Sequence, residues 1–357
     1  MEPFPIQAAT IPDLLAGRDV CGRAPTGSGK TLAFGVAVAA RVKDAAPRRP
    51  TALVLVPTRE LATQVRQELS LLVSRRVGVV AIFGGVGYEA QRRALAKGVG
   101  VVVACPGRLE DLLQNRDLSL DKVQLVVLDE ADRMADMGFL PSVRRILDQV
   151  SADRQTMLFS ATLDGDVDAL VKRYQRDPVR HEVPTDPTDG ERVLHVKQPT
   201  ARNDKVGATA ELIRTHGPTI VFCRTRRGAD RVALQLRGLG VRVAAMHGSR
   251  SQSQREQALA SFAAGRVDAL VATDVAARGI HVDGVGCVVH FDPPEDAKAY
   301  THRSGRTGRA GAAGVVVSLD LPAAAAGPPR PAAAGRPNPA SRNRRRRDTR
   351  SSMARVR

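Results

Sequence analysis

The sequence predicts an α/β protein with two tandem domains, each built on a parallel sheet, followed by a disordered basic C-terminal tail. Short apolar β-branched runs alternate with longer amphipathic stretches from Val20 to Leu319, a rhythm typical of βαβ units. A polar, turn-rich break at 184–190 interrupts this rhythm, which then restarts. The length also favours two domains, because 357 residues exceed one ordinary core and suffice for two.

Buried strands are predicted where an apolar run is short and bounded by turn residues. In the first domain these runs are 52–56, 99–104, 125–128 and 156–159. In the second domain they are 219–223, 241–246, 269–272, 286–290 and 314–319. We therefore predict a first domain at 1–183, a linker at 184–192, a second domain at 193–320 and a tail at 321–357.

The charge distribution indicates a polyanionic partner. The net charge is +17, and ten arginines against one acid between Pro322 and Arg357 supply about half of this excess. The tail is rich in Ala, Pro, Gly and Arg, so it cannot bury enough apolar surface to fold. Its segment 342–347 is expected to bind any polyanion by counterion release, with a steep dependence on salt.

Cysteine usage and hydropathy predict a soluble, cytoplasmic protein without a membrane partner. The four cysteines lie far apart with no paired spacing, which argues against a zinc site or a disulfide framework. No run of eighteen apolar residues is present, and the N-terminus lacks a charged-then-apolar leader.

A phosphate-binding loop is predicted at 24–31, which reads Ala-Pro-Thr-Gly-Ser-Gly-Lys-Thr between an apolar segment and a helical stretch. Lys30 is expected to bridge the β- and γ-phosphates of a nucleotide, and the hydroxyl of Thr31 to help hold Mg²⁺. The rest of the phosphate cradle is assigned to Thr26, Gly27, Ser28 and Gly29.

The second half of a nucleotide site is an acidic pair directly after a predicted buried strand. Asp129 can reach Mg²⁺ through water, and Glu130 can polarise the attacking water. An acidic pair in this place is often only a helix cap. Together with the phosphate loop, it predicts a chain that hydrolyses, or at least binds, a nucleoside triphosphate with Mg²⁺.

The complete series of motifs resembles the DEAD-box RNA helicases of superfamily 2. The first domain carries Pro-Ile-Gln at 5–7, the phosphate loop, Pro-Thr-Arg-Glu-Leu-Ala at 57–62, Gly-Gly at 84–85, Pro-Gly-Arg at 106–108, Asp-Glu-Ala-Asp at 129–132 and Ser-Ala-Thr at 160–162. The second carries Ala-Thr-Asp-Val-Ala-Ala-Arg-Gly at 272–279 and His-Arg-Ser-Gly-Arg-Thr-Gly-Arg at 302–309. Their order and spacing match over residues 3–319, and the resemblance implies two RecA-like domains.

The resemblance also implies that this nucleotide is ATP, and it implies roles at the nucleotide. Gln7 would read the adenine edge, since an amide donates and accepts in one plane. Lys30, Glu130, Arg306 and Arg309 would be catalytic, with the two arginines reaching the γ-phosphate from the second domain. A hydrogen-bonded network that couples the domains would comprise Asp132, Ser160, Thr162 and His302.

Contacts to RNA follow from the same resemblance. Short hydroxyls, glycine backbones and arginines suit sugar–phosphate contact and not base reading, so single-stranded and duplex RNA would be bound independently of sequence by a monomeric core. The implied activity is local unwinding of short duplexes, or remodelling of RNA–protein complexes, driven by ATP hydrolysis. The residues implied are Thr58, Arg59, Gly84, Gly85, Gly107, Arg108, Gly248 and Thr273.

Three departures from the family pattern keep alternatives open. The aromatic residue that the family places farther upstream of Gln7 is missing, and His281 replaces an acid that contacts the ATP ribose. The chain also turns to Pro322 where the family continues into a helix. The alternatives are an RNA-binding protein with an impaired ATPase and a superfamily 2 helicase that acts on DNA.

Overall fold

The computed structural model describes residues 2–25, 27–183, 193–277, 282, 284–308 and 312–320. These residues form two α/β domains, each with one parallel sheet, so the predicted fold class is confirmed. The predicted linker and the basic tail lie outside the described residues. Within the described chain, no helix is long and apolar enough to cross a membrane.

The sheet of the first domain has seven strands in the order β3-β4-β2-β5-β6-β1-β7, with every pair parallel. Its central strands are fully buried and mostly apolar, because helices cover both faces of the sheet. The strands are β1 (Val20–Arg23), β2 (Ala52–Leu55), β3 (Val79–Ile82), β4 (Val101–Ala104), β5 (Leu125–Asp129), β6 (Gln155–Ser160) and β7 (Val179–Glu182).

Eight helices of the first domain are described, and they connect these strands in βαβ fashion. Two of them begin at a residue whose side chain caps a free backbone N–H group: Thr58 accepts from the N–H of Leu61 over 3.3 Å, and Asp164 accepts from the N–H of Val167. The helices are α1 (Pro5–Leu15), α2 (Lys30–Arg41), α3 (Arg59–Leu72), α4 (Tyr88–Ala96), α5 (Pro106–Gln114), α6 (Ala131–Asp136), α7 (Leu140–Leu147) and α8 (Gly165–Tyr174).

The second domain has a six-stranded sheet in the order β10-β11-β9-β12-β13-β8, again parallel throughout. Its strands are β8 (Val193–Lys197), β9 (Thr219–Phe222), β10 (Val243–Met246), β11 (Ala269–Ala272), β12 (Cys287–His290) and β13 (Gly314–Ser318). Its described helices are α9 (Lys205–His216), α10 (Arg226–Gly238), α11 (Gln252–Ala263), α12 (Asp274–Ala277) and α13 (Ala297–Ser304).

Each sheet separates two apolar clusters, one on each face. In the first domain, Phe34 of α2 and Phe159 of β6 meet on one face with their rings 5.7 Å apart. All four cysteines are free and buried within these clusters, and burial raises the pKa of the Cys105, Cys223 and Cys287 thiols to about 12. They are therefore small hydrophobic core residues.

The predicted strands of the sheet interiors are all present, with ends shifted by two residues or fewer. Four strands that the sequence did not predict are β1, β3, β7 and β8; β1 lies inside the first sheet, and the other three lie at the edges of their sheets. Strand β7 alternates partly buried and exposed positions, as edge strands do, so it contains no apolar run. The exact domain limits at 183 and 193 stay predictions.

The parallel topology brings the sequence motifs together. Parallel strands place all their carboxyl ends at one edge, where open α/β sheets bind ligands. In the first domain, the phosphate loop follows β1, the acidic pair ends β5, and Ser160 ends β6. In the second, Gly248 and Thr273 follow β10 and β11. The motifs therefore belong to the same edge of each sheet.

Candidate active site

The phosphate loop turns through two glycines in the left-handed region. Gly27 has φ +88° and Gly29 has φ +82°, conformations that residues with a side chain rarely adopt. A Cβ atom on Gly29 would lie 2.4 Å from Nε2 of Gln7, so the space there accepts only glycine. Ser28 braces the turn by donating to the carbonyl of Pro25 over 2.8 Å. The loop therefore has the tight backbone curvature that phosphate binding needs.

Lys30 lies inside this curve. Its side chain is buried, and its Nζ donates to the carbonyl oxygens of Ala24 over 2.8 Å and Pro25 over 2.9 Å. Thr31 follows in the first turn of α2 and is partly buried. Thr26 lies outside the described residues, so its predicted role keeps the status of a prediction.

Gln7 joins the N-terminal helix to the phosphate loop. Its Nε2 donates to the carbonyl of Gly29 over 3.1 Å, and its Oε1 accepts from the N–H of Phe4 over 3.0 Å. The amide is buried and thereby fixed beside the loop. Phe4 lies against the same glycine, since a Cβ atom there would be 2.9 Å from its ring, and its side chain is 45% exposed. The sequence did not single out this aromatic residue.

Asp129 ends the central strand β5 and is 3% exposed. Burial raises its pKa to about 7, although the charge of Lys30 acts in the opposite direction. Its Oδ1 accepts the N–H of Glu130 over 3.0 Å. Asp129 thus provides a buried oxygen ligand near Lys30, and a bound cation would favour its ionised form.

Glu130 has a left-handed backbone, with φ +52° and ψ +51°. Such conformations cost free energy in residues other than glycine and tend to cluster at functional sites. The side chain is 6% exposed, and its Oε2 accepts from Arg133 NH1 over 2.7 Å. Arg133 itself is 5% exposed, so this is a buried ion pair on the first turn of α6. The sequence contained this pair at i, i+3 spacing, but it was not predicted.

Asp132 is the centre of a hydrogen-bonded network within the first domain. Its Oδ2 accepts from the N–H of Ala161 over 3.2 Å and of Thr162 over 3.0 Å, and from the Thr162 hydroxyl over 3.3 Å. Its own N–H donates to Ser160 Oγ over 3.1 Å. The structure thus brings together three of the four residues predicted to couple the domains.

His302, the fourth of these residues, comes from α13 of the second domain. Burial and the charge of Arg133 lower its pKa, whereas Asp136 and Asp132 of the first domain raise it. Arg306 follows one turn later and donates from Nε to the His302 carbonyl over 3.1 Å. This segment of the second domain therefore lies beside α6 of the first. Arg309 and His281 lie outside the described residues.

A buried ion pair also joins the two domains at a separate place. Arg255 of α11 contacts Glu60 of α3 over 3.0 Å, and Gln252 Nε2 donates to the same carboxylate over 3.4 Å. The Arg255 and Glu60 side chains are 9% and 4% exposed. Sequence reasoning missed this contact, because the partners belong to different domains and no local pattern relates them.

The residues predicted to contact RNA fall into two structural classes. Thr58 caps α3, while the Arg59 guanidinium packs on Gly85, where a Cβ atom would lie 2.0 Å from NH1. Gly84 and Gly107 face open space, with no atom within 4 Å of an added Cβ. These positions leave backbone and an arginine at one edge of the first sheet.

Arg108 belongs to the second class. It is 8% exposed, donates to the Val86 carbonyl over 2.9 Å and to Gln91 Oε1 over 3.3 Å, and lies 3.9 Å from the centre of the Tyr88 ring. Its donors therefore hold the loop that contains Gly84 and Gly85. In the second domain, Gly248 lies beside Arg226, and Thr273 is buried before α12.

Two family models match the chain over regions that contain these sites. Residues 4–170 match the DEAD/DEAH box helicase domain, and residues 204–311 match the helicase conserved C-terminal domain. The DEAD-box ATP-dependent RNA helicase CshA of Geobacillus kaustophilus is 42% identical over 330 residues, which cover 90% of this chain and 69% of the relative. The chain belongs to the DEAD-box helicase family.

Other members of the family are longer than this chain. DEAD-box ATP-dependent RNA helicase 30 of Arabidopsis thaliana is 43% identical over 89% of the chain, which spans 55% of that relative. The chloroplastic helicase 3A of Zea mays is also 43% identical, and the chain spans 42% of it. The chain thus spans about half the length of these relatives.

Solved structures of the family add information on how the domains are arranged. Saccharomyces cerevisiae Dbp5 bound to RNA and ADP BeF3 matches with a TM-score of 0.78 at 29% identity, covering 90% of this chain and 84% of that one. A DEAD box protein of Methanococcus jannaschii gives 0.52 at 34% identity, with 89% and 87% covered. The overall arrangement of this DEAD-box chain thus resembles the ligand-bound Dbp5 chain more than the second structure, despite lower identity.

Proposed function

We propose that this DEAD-box protein is an ATP-driven RNA helicase. It would grip the sugar–phosphate backbone of RNA and locally separate short duplexes or remodel RNA–protein complexes. One observation carries the proposal. His302 of the second domain lies within electrostatic reach of Asp132 and Arg133 of the first, Arg133 pairs with the proposed base Glu130, and Arg306 donates to the His302 carbonyl. A nucleotide site completed by two domains allows hydrolysis to control how they associate.

The residues present fit Mg²⁺ as the cofactor. The protein ligands available are oxygens, from the Asp129 carboxylate and the Thr31 hydroxyl, which suit a hard cation. No cluster of three or more His, Cys, Asp or Glu side chains suited to a metal occurs in the described part of the chain, in keeping with an ion held largely by substrate phosphates. When bound, the ion would neutralise charge on the phosphates.

Four side chains divide the work of hydrolysis. Lys30 would leave the carbonyls of Ala24 and Pro25 to hold phosphate oxygens, and Glu130 would orient the attacking water and accept its proton. Arg306, together with Arg309, would stabilise negative charge that develops on the γ-phosphate. Asp132 would couple movements at the nucleotide site to Ser160 and Thr162, because it donates a hydrogen bond to the first and accepts one from the second.

RNA would be held at the carboxyl edges of both sheets. Arg59, Gly84, Gly85 and Gly107 of the first domain offer one guanidinium group and accessible backbone, and Gly248 and Thr273 lie at the matching edge of the second. Such groups contact phosphate and sugar and do not read bases. Arg108 would act indirectly, by holding the glycine loop in place.

The direct experiment measures ATP hydrolysis by the full chain with and without RNA, together with strand separation of a short RNA duplex. The Glu130→Gln variant should retain ATP binding and lose roughly a hundredfold or more in kcat, because the general base is removed. Glu89→Gln is the matched control, since that side chain is 81% exposed on α4. Unchanged turnover in Glu130→Gln would refute the catalytic assignment.

The same assay separates the alternative functions. Equal stimulation of hydrolysis by RNA and by DNA of matching sequence would favour a helicase that acts on DNA as well. RNA binding without any RNA-stimulated hydrolysis would favour an RNA-binding protein with an impaired ATPase. We also propose a cytoplasmic location, which the four free thiols support.

A further inference from the structure

A cavity lies in the second domain, and its lining contains none of the residues assigned to the nucleotide site. It measures about 760 Å³, a size typical of sites for small ligands. Its walls include Arg224 after β9, Phe291 after β12 and Leu319 after β13, so it opens at the carboxyl ends of three parallel strands. Helices α9 and α10 contribute further wall residues, which are Lys205, Val206, Arg231 and Gln235.

The position of this cavity in the sheet is significant. The strands β9 and β12 are neighbours in the sheet, but the chain leaves them in opposite directions. After β9 it crosses to β10 at one edge of the sheet, and after β12 it continues to β13 on the other side. Helix α10 packs on the face that contains Val221, whereas Tyr300 of α13 packs on the opposite face. The ends of β9 and β12 thus form a topological switch point, where open α/β sheets hold their ligands.

Three exposed arginines line the cavity, together with the carboxylates of Asp292 and Asp320. Arg202, Arg224 and Arg231 are exposed, and no ion pair among the described residues includes any of them. Other arginines of the same domain are paired, for example Arg303 with Asp274 and Arg242 with Asp268. The wall carries four cationic and two acidic side chains, a net positive charge that favours an anionic ligand.

A buried lysine forms part of the same cavity. Lys205 is 7% exposed, and its Nζ donates to the Phe291 carbonyl over 2.8 Å and lies 5.6 Å from the centre of that ring. Burial lowers its pKa, while Asp292 and Asp320 raise it. The Asp292 carboxylate accepts the backbone N–H of Arg224 over 2.8 Å, which fixes its place in the wall.

We propose that this cavity binds a small ligand that carries at least two phosphate groups. The guanidinium groups of Arg202, Arg224 and Arg231 would hold the phosphates, since this group matches phosphate oxygens in pairs. Val206, Phe291 and Leu319 supply apolar wall for the body of the ligand. The charged groups lie around one concavity of about 760 Å³, which favours a small polyphosphate over a polynucleotide strand, whose phosphates follow an extended groove.

The test titrates tripolyphosphate into the full chain by calorimetry. All proteins carry Lys30→Ala, which weakens binding at the phosphate loop. The site variant adds Arg202→Gln, Arg224→Gln and Arg231→Gln. The control variant removes the same charge elsewhere, through Arg75→Gln, Arg76→Gln and Arg266→Gln, three other exposed arginines outside any ion pair of the described chain. Thermal unfolding checks that both variants fold like their parent.

The site variant should bind tripolyphosphate roughly tenfold or more weakly, since each charge-assisted contact contributes more than one kilocalorie per mole. The control should bind as the parent does. A second variant, Gln235→Glu, adds a carboxylate to the cavity wall without removing a cation and should also weaken binding. A short single-stranded RNA is titrated in parallel. Unchanged tripolyphosphate affinity in the site variant, or a loss confined to RNA, would overturn the proposal.

Discussion

Arg133 donates to the Glu130 carboxylate over 2.7 Å, and both side chains are almost completely buried. The charge of Arg133 also lowers the pKa of His302 in the second domain. Arg133 is thus placed to hold the orientation of Glu130 and to respond to the approach of the other domain. A buried carboxylate that loses its ion partner is strongly destabilised, so this contact matters for the site.

We predict that Arg133→Met lowers kcat of RNA-stimulated hydrolysis by roughly tenfold with little change in KM for ATP, since Arg133 positions the base and not the substrate. Arg133→Lys should restore part of the rate, because an ammonium group can still pair with Glu130. Steady-state kinetics at saturating RNA provide the measurement. Equal loss in Arg133→Met and Arg133→Lys would point to packing as the cause.

The ion pair between Glu60 and Arg255 should stabilise the closed arrangement of the domains. Both groups are buried at 3.0 Å, and separation of the domains would return them to water. We predict that Arg255→Met weakens RNA affinity in the presence of ATP by about tenfold or more, because Glu60 would then be buried without its partner on closure. Fluorescence anisotropy of labelled RNA measures the change.

A charge reversal tests whether this effect belongs to the pair. Glu60→Arg combined with Arg255→Glu should recover affinity relative to either single change, which a double-mutant cycle quantifies. The surface pair Arg242–Asp268 offers the control, since Arg242→Met removes an exposed ion pair of small energetic value. No recovery in the double variant would mean that the two residues act separately.

The sequence predicted most interior strands because buried parallel strands are continuous apolar runs, such as 125–128. Strand β1 was missed because Gly22 and Arg23 interrupt its apolar run. The edge strands β7 and β8 do not have that signature. Strand β8 has exposed Leu194 and His195 and partly buried Val193 and Val196, so its pattern resembles a loop. Edge strands are specified by pairing with a neighbour, here β13, which a local window of sequence does not contain.

Site residues were predictable where a motif fixes chemistry and spacing together. Lys30 and Asp129 follow their strands and lie beside each other, as the topology of a parallel sheet requires. Arg108 shows that residue type alone does not predict a contact. An arginine in a glycine-rich motif indicates phosphate binding, but Arg108 donates its hydrogen bonds to Val86 and Gln91. The contacts of Arg255 depend on domain orientation, which no spacing encodes.

Phe4 provides a third prediction. Its ring is close to Gly29 of the phosphate loop and is 45% exposed, so a large apolar surface faces solvent beside the nucleotide site. We predict that Phe4→Ala raises KM for ATP by roughly three- to tenfold, the effect of losing an aromatic contact of about 1 kcal/mol. Leu15→Ala, on a side chain equally exposed at the other end of α1, is the control. KM that stays constant in Phe4→Ala would exclude contact with the nucleotide.

His290 should make the second domain sensitive to acid. It is 1% exposed, its Nδ1 lies 3.2 Å from Ser318 Oγ, and the Tyr300 ring packs edge-on with centroids 4.9 Å apart. Burial, with a further contribution from Arg303, lowers its pKa to about 4. Between pH 4 and pH 6.5 the imidazole of His290 is therefore mostly neutral in the folded protein. In the unfolded chain, where its pKa is about 6.5, the same group binds a proton over that pH range.

Because the unfolded state binds the additional proton, the free energy of unfolding should fall as the pH drops from about 6.5 towards 4. By pH 5 the loss attributable to His290 is on the order of 2 kcal/mol. We predict that His290→Asn is less stable than the parent at neutral pH but loses less stability on acidification, since asparagine does not titrate. Urea unfolding at both pH values, followed by circular dichroism, measures the difference. His216→Asn at the end of α9 is the control. The assignment would be contradicted if acidification lowered the free energy of unfolding equally in the parent and in His290→Asn.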